Sequence, residues 1–594
     1  MKFILCVFFS FSSLLLLAQP APALAKDYYQ KGAFEKALIL YEKLLETAPF
    51  HTDYTLKLIE CHQQLNQFKA AQKRIEAQLL RSRHPQFLVE LGYNYKLQNQ
   101  LELAEETYLQ SLQAVREQPA FVYAVAQRFE VHSLLSKAIQ TYEIGLENRP
   151  NATYYFQLAG LYAAQQNIEK MMESYLDYVQ LNPSLSSQVM NLLGDYISED
   201  ATQPYNQLFK KVLLKKSQTA PDTLWNQWLS WLYIQQNDFP KAFVQEKAVF
   251  RRSPESLQGL INLAVSATEN KFYKTAINIF EFIIQNTNNS RLIILANCKL
   301  LELQIEQSAD AARFKKIRET YALLLAQYQL GQESVELQLS YANFLAFYDS
   351  KPDIAIAFLK TALNENLADL VEARVKMKLA DILLSQQKFN QALVLYTQIQ
   401  LGVKNSRLAQ EARFKVAKTS YYKGDFDWAE TQLKVLKSST SQLTANDALE
   451  LQLLITDHKG SDSLNSPLRL YAKADFLRLQ KKPKEALEVL DSILKAHQTD
   501  PIIDQVLLFQ AQLYASQKDY RKAQSNYLQI IKDYKDDILI DDAYFYLAEL
   551  YRTKLGDLEN ATLNYESIIF NHEDSIHFIE ARRQYRLLRG DTIN

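Results

Sequence analysis

Cysteine and glycine are scarce in this 594-residue chain, at 3 and 12, and no run of five like charges occurs. Each scarcity excludes a class of function. The closest two glycines are Gly145 and Gly160, so no phosphate-cradling loop, dinucleotide fingerprint or nucleophile elbow can be written. No His-Glu-x-x-His occurs. His572 and His577 fall on different helical faces, and His51 and His62 flank a helix with no carboxylate partner in sequence. Asp536-Asp537 and Asp541-Asp542 lack the loop glycine and alternate spacing of a calcium site and suit a helix start instead. No catalytic, cofactor-binding or metal-ligating residue is assigned, and no cofactor is expected. A net charge of −1 without a basic block leaves no electrostatic footprint for nucleic acid.

Long apolar runs are also missing, with one exception. Lys2 precedes a 15-residue, mostly apolar stretch, Phe3 to Leu17, which is too short for a comfortable membrane span. A positive start followed by such a run is a secretory signal. Cleavage after Ala18, before Gln19, is favoured over cleavage between Ala25 and Lys26, because Leu24, Ala25 and Tyr28 have the pattern of a first helix. No second span follows, so the mature chain is expected to meet a membrane only through a partner. Cys61 and Cys298 stand too far apart in sequence to meet in a stacked architecture, and no disulfide is expected.

What is present is a repeat. A small residue recurs at Ala37, Ala71, Ala104, Ala138 and Met171, in steps of 33 or 34 residues. It returns at Ala242 and Ala276. It then runs through Ala355, Ala392 and Ala429, and through Ala486, Ala523 and Ala561, in steps of 37 or 38. An aromatic or leucine often stands four residues on, and a proline often ends the unit, as in Ala37-Tyr41-Leu44-Pro49. A second small residue precedes each marker by about one helix, as in Leu158-Ala159-Tyr162. Turn signals such as Lys423-Gly424-Asp425 separate the two. Apolar residues at i, i+3, i+4 and i+7 specify helices, and one helix pair cannot bury its stripe alone, so neighbours must stack.

A period near 34 residues resembles the tetratricopeptide repeat (TPR). The resemblance implies an all-α fold, a right-handed superhelical TPR solenoid of about 15 helix pairs with a C-terminal capping helix over 576–588. It also implies a surface that binds other proteins. The longer downstream repeats, worded as in Glu411 to Phe426, are similar in style to two bacterial envelope proteins. These are the TPR lipoprotein of the outer-membrane barrel-assembly machine and the Tol–Pal coordinator. No lipobox cysteine stands in this chain. The expected organisation is a signal at 1–18, an N-terminal array at 19–330 with the shorter period, and a C-terminal array at 331–594 with the longer one and a loop near 457–467.

Three breaks stand out: a degenerate repeat over 184–221, two longer helices over 291–330, and the stretch 444–467. After the first break Trp225, Trp228 and Trp231 fall at i, i+3 and i+6. In register with Ala242, Trp228 and Trp231 take first-helix positions that in the TPR family face the concave groove. They are the candidate partner-binding residues, expected to be partly exposed. The competing account is that they fill packing lost at the degenerate repeat. Arg582, Arg583, Arg586 and Arg589 make the last helix basic, either as a solvated cap or toward an anionic partner.

These features together suggest a non-catalytic exported scaffold or adaptor in the periplasm of a Gram-negative bacterium, associated with the outer membrane through partners. A holdase-type chaperone would need an apolar concave lining instead. An enzyme would need a cluster of desolvated His, Asp or Glu.

Overall fold

A computed structural model describes residues 21–306, 311–436, 442–459 and 467–591. The signal segment and most of the 457–467 loop lie outside them. Among the described residues there is helix, turn and loop, and no strand. The chain divides into two compact units, Met1–Ser256 and Leu257–Asn594. The change of period near 330 falls inside the second.

The first unit holds seven successive helix pairs: α1 (Ala21–Gln30) and α2 (Phe34–Thr47), α3 (Thr52–Gln64) and α4 (Phe68–Ser82), α5 (Gln86–Leu97) and α6 (Leu101–Glu117), α7 (Val122–Val131) and α8 (Leu135–Asn148), α9 (Ala152–Ala164) and α10 (Ile168–Leu181), α11 (Ser186–Gly194) and α12 (Pro204–Thr219), α13 (Thr223–Gln235) and α14 (Phe239–Arg252). The second begins with α15 (Gln258–Glu269) and α16 (Tyr273–Gln285), α17 (Ser290–Glu306) and α18 (Ala311–Tyr328), α19 (Val335–Phe347) and α20 (Pro352–Ala362), α21 (Asp369–Ser385) and α22 (Phe389–Gly402), and α23 (Arg407–Lys423) and α24 (Phe426–Leu436). A single helix, α25 (Gln442–His458), is followed by α26 (Pro467–Leu479) and α27 (Pro483–Ala496), α28 (Ile503–Ser516) and α29 (Tyr520–Asp533), α30 (Ile540–Leu550) and α31 (Leu558–Asn571), and the terminal α32 (Phe578–Leu588). Within each unit, successive pairs pack on one another, as expected of a solenoid built from this repeat.

The register follows from close packing. The markers from Ala37 to Ala561 are all buried, because a small residue lets the two helices of a pair approach. Gly92 is the extreme case: a Cβ there would stand 2.5 Å from Tyr108 Cε1 and 3.1 Å from the Ala104 carbonyl.

Most turns inside a pair share one form. A left-handed residue ends the first helix, and the next N–H reaches back five residues, as in Gln67 to His62 at 2.8 Å, Lys388 to Leu383 at 2.9 Å and Asp519 to Tyr514 at 2.9 Å. This is the Schellman turn, in which glycine is the easiest occupant. Here Gly32 and Gly424 supply it, and Gly556 closes a wider turn in which the Asp557 N–H reaches Tyr551, while Asn66, Asn99, Gln166, Lys271, Gln387, Lys518 and others hold the left-handed conformation with a side chain. That is how so many turns are made with so few glycines.

Two irregularities position the sites described below. In the degenerate repeat α11 is only 9 residues long, and α12 packs mainly on α10 and α13. In the second unit α26 packs directly on α23 as well as following α25. Phe476 of α26 meets Phe389 and Tyr422, Gln480 donates to the Ser385 carbonyl at 2.7 Å, and Lys481 lies 4.6 Å over the Tyr348 ring.

Candidate functional site

The tryptophans are placed by α13. Trp225 is fully buried and its indole N–H donates to the Ala220 carbonyl at 2.7 Å. Trp228 is also fully buried, which corrects the expectation of partial exposure. The cause is Phe209 of α12, which meets Trp228 edge-on at 6.0 Å and Trp231 at 6.1 Å. α12 thus lays an aromatic ring against α13, and that ring covers Trp228. The Trp228 indole nitrogen has no hydrogen-bond partner. Trp231 remains half-buried, 5.7 Å from Trp228. Of the two candidates, only Trp231 keeps a surface.

The arginines of α32 are largely engaged within their own helix. Arg583 makes a two-pronged contact with Glu580 at 2.8 and 2.9 Å, Arg586 pairs with Asp591 at 3.7 Å, and Arg589 lies over Tyr585. Among the described residues no group of three His, Cys, Asp or Glu converges as a metal set. His577 bonds Asp542 at 2.8 Å and stacks on Phe545, apart from any histidine partner. Cys61 and Cys298 are free and buried, and burial pushes each thiol up to about 12.

A buried ionic cluster that sequence reasoning missed joins α1, α3, α5 and α7. Arg128 donates to Glu90 Oε1 at 2.5 Å and to Glu60 Oε1 at 2.6 Å. Lys57 and the Tyr29 hydroxyl donate to Glu60 Oε2 at 2.7 and 2.5 Å. His132, stacked 3.7 Å from Tyr93, stands 3.0 Å from Glu90. Burial works against the Glu90 charge, but Arg128 and His132 hold its carboxyl down to about 2. The pattern carries a sequence signal: Glu90 is the one charge in Phe87–Tyr95, and Arg128 the one charge in Phe121–Phe129. The cluster has the density expected of an enzyme site. Its carboxylates are matched by Arg128 and Lys57, and none of the cavities described next reaches it.

The open sites lie elsewhere. A groove of about 680 Å³ runs along α12, the end of α13 and the start of α14. Lys210, Lys211, Lys215 and Lys241 line it around Leu214 and Tyr233, with Asn206, Gln207, Gln218 and Gln236, and with no carboxylate in the lining. In the second unit a pocket of about 380 Å³ is lined by Asp457, Asp500, Asp504 and Asp537, with His458 and no lysine or arginine. Asp504 is only 5% exposed, and burial, with Asp537 nearby, pushes its carboxyl up to about 6.

Comparison with known proteins agrees with the repeat. Residues 152–185, the α9–α10 pair, match the family model described as tetratricopeptide repeat. Two solved structures align along the chain's length. One is described as Naa15/Naa10 bound to HypK-THB, at 12% identity over 96% of this chain and 96% of that one, with a TM-score of 0.28. The other is described as the APC/C hetero-tetramer Cut9-Hcn1, at 12% identity over 96% and 97%, with a TM-score of 0.25. At those scores they carry no functional argument. No curated protein matches.

Proposed function

We propose that the chain is an exported, non-catalytic scaffold or adaptor that holds other proteins together in the envelope of a Gram-negative bacterium. The observation that carries the scaffold reading is where polarity is spent. The dense ionic cluster around Arg128 is closed, while two of the open concavities are a lysine groove and an aspartate pocket suited to charged protein surfaces. A holdase would need a broad, uncharged apolar lining, whereas four lysines ring the first concavity and four aspartates the second. The enzyme alternative is favoured by the Glu60, Glu90, Arg128 and His132 cluster. It is disfavoured because these groups bond one another, with only Glu90 Oε2 left without a partner, and neither concavity reaches them. Export is supported by Lys2 and the apolar run behind it. Given export, the packing of Ala25 of α1 with Ala37 and Tyr41 favours cleavage before Gln19 over cleavage after Ala25, because the first pair then stays whole. No helix among the described residues is long and apolar enough to cross a membrane.

Fractionation of the source cells, with in-cell cross-linking and mass spectrometry, tests this. The expected result is a mature start at Gln19, a periplasmic location and cross-links to envelope proteins. A cytoplasmic chain with an intact Met1 would overturn export. Absence of any protein cross-link would overturn the scaffold.

A further inference from the structure

We infer that the α12–α14 groove is a docking site for an acidic peptide segment of a partner protein, one with an apolar residue among its carboxylates. The inference rests on the scaffold reading and names the chemistry of one of its surfaces. Three observations support it. First, the groove is built of one sign of charge. Lys210, Lys211, Lys215 and Lys241 face it, and no Asp or Glu does. Lys211 and Lys215 are anchored from outside by Glu169 and Glu173 of α10 at 3.0 and 2.8 Å, and Lys241 by Asp238. Those bridges are made at the ammonium heads, so three of the four lysines already have a partner, and the carboxylates themselves stand outside the groove lining.

Second, two ammonium groups converge on one ring. Lys210 lies 5.7 Å and Lys241 5.8 Å from the centre of Tyr233. Lys210 has no carboxylate within 4 Å among the described residues. Lys241 already has Asp238, so Lys210 is the ammonium on this ring that still lacks a carboxylate, and an acidic side chain in the groove would supply one. Third, the floor is not purely polar. Leu214 is 42% exposed beside Tyr233, which suits an apolar side chain flanked by acids.

The shape selects the class of anion. A concavity of about 680 Å³ admits a few residues of extended chain. A vesicle surface is too flat to enter it. Nucleic acid would need a longer track of phosphate contacts than one groove on a chain of net charge −1 provides. The groove exists because the sixth repeat is degenerate: with α11 short, α12 packs on α10 and α13 and presents its lysine face toward α14.

The test uses the full mature chain and a fluorescein-labelled octapeptide of Glu and Asp around one central Leu, followed by anisotropy. The expected result is binding that weakens as salt rises. Affinity should fall at least tenfold in K210E/K241E, fall several-fold in K210A/K241A, and be unchanged in the distant control K423E. The same peptide with Lys in place of every acid should not bind the unaltered chain. Thermal melts confirm that the variants are folded, and the alanine pair serves if the glutamate pair is not. Equal affinities across all four proteins would overturn the inference. So would a groove-dependent preference for poly-uridine RNA or phosphatidylglycerol vesicles over the peptide. If in-cell cross-links persist while the peptide ignores both groove variants, the groove assignment fails alone. If cross-links are absent while the peptide binds through Lys210 and Lys241, the scaffold reading fails and the groove chemistry stands.

Discussion

Arg128 donates to Glu60 at 2.6 Å across two repeats, past α5, which stands between their helices. One side chain of α7 therefore ties down α3 directly and, through Glu90, α5 as well. In a stack whose coupling is mostly between neighbours, this bond links next-nearest repeats.

Replacing Arg128 with Met should leave two buried carboxylates short of a cation, at a cost of about 3–5 kcal/mol. The pH dependence should change sign. In the unaltered chain Glu90 is held near 2, below its unfolded value, so its contribution is present at neutral pH and is lost as pH falls from the ordinary carboxylate range toward 2. Without the arginine, burial dominates and favours the protonated acid, so R128M should gain stability relative to the unaltered chain on acidification. Urea melts at pH 7 and pH 4 check this. A constant difference between the two proteins would show that Arg128 acts by packing alone.

Asp504 has the opposite imbalance. Its carboxyl is raised to about 6, so the folded state holds a proton that the unfolded chain releases near pH 4. Stability is therefore lost as pH rises from about 4 through about 6. Asp504→Asn should stabilise the second unit by about 1–2 kcal/mol at pH 7.5 and by much less at pH 4. The Asn carbonyl keeps the bond from the Gln505 N–H, seen at 2.7 Å. Melting of the variant at the two pH values is the measurement, and a loss of stability at pH 7.5 would refute the desolvation account.

The turns offer a gain. Lys271, Gln387 and Lys518 sit in the left-handed region at φ of 64, 61 and 64°, where a Cβ is strained by roughly 1–2 kcal/mol. Substituting Gly at any one should raise stability by somewhat less, about 0.5–1 kcal/mol, because Gly also gains unfolded freedom. A lowered melting temperature in all three would show that their side chains do more than tolerate the turn.

These turns mark the limit of what the sequence made legible. The markers were readable because a small residue, replaced once by Met171, fits between close backbones, and every one of them sits buried. Glycine announced three turns. The others are encoded by hydrogen-bond geometry that polar residues also satisfy, so they carried no local signature. The candidate site was harder to read. Register placed Trp228 on the correct helix, but its exposure depended on where a degenerate neighbour laid Phe209, which no periodicity specifies. The lysine groove is a consequence of that same placement. The contact of α26 with α23, past α25, rests on long-range packing for the same reason.

Gly92 tests the close approach directly. Ala there would place a methyl 2.5 Å from the Tyr108 ring and 3.1 Å from a backbone oxygen. The backbone cannot yield as a side chain can, so Gly92→Ala should cost about 1–3 kcal/mol. Hydrogen exchange should rise first in α5 and α6, and uniform loosening of the first unit would contradict nearest-neighbour coupling.

The two tryptophans should now separate. Trp228 is fully buried between Phe209 and Trp231, so Trp228→Ala removes a filled volume and should cost on the order of 3–5 kcal/mol. Trp231 is half-buried and meets its neighbours by an edge, so Trp231→Ala should cost markedly less, about 1–2 kcal/mol. Fluorescence gives a second contrast: in a Trp428→Phe background, which removes the exposed fourth tryptophan, iodide should quench the Trp231 component and leave Trp225 and Trp228 untouched. Trp231 alone can still contact a partner, and its truncation would then weaken binding by more than it weakens the fold. If Trp231→Ala proves as destabilising as Trp228→Ala, the whole aromatic set is core. Binding by this region would then rest on the lysines of α12 and α14, which reach the surface whether or not any tryptophan does.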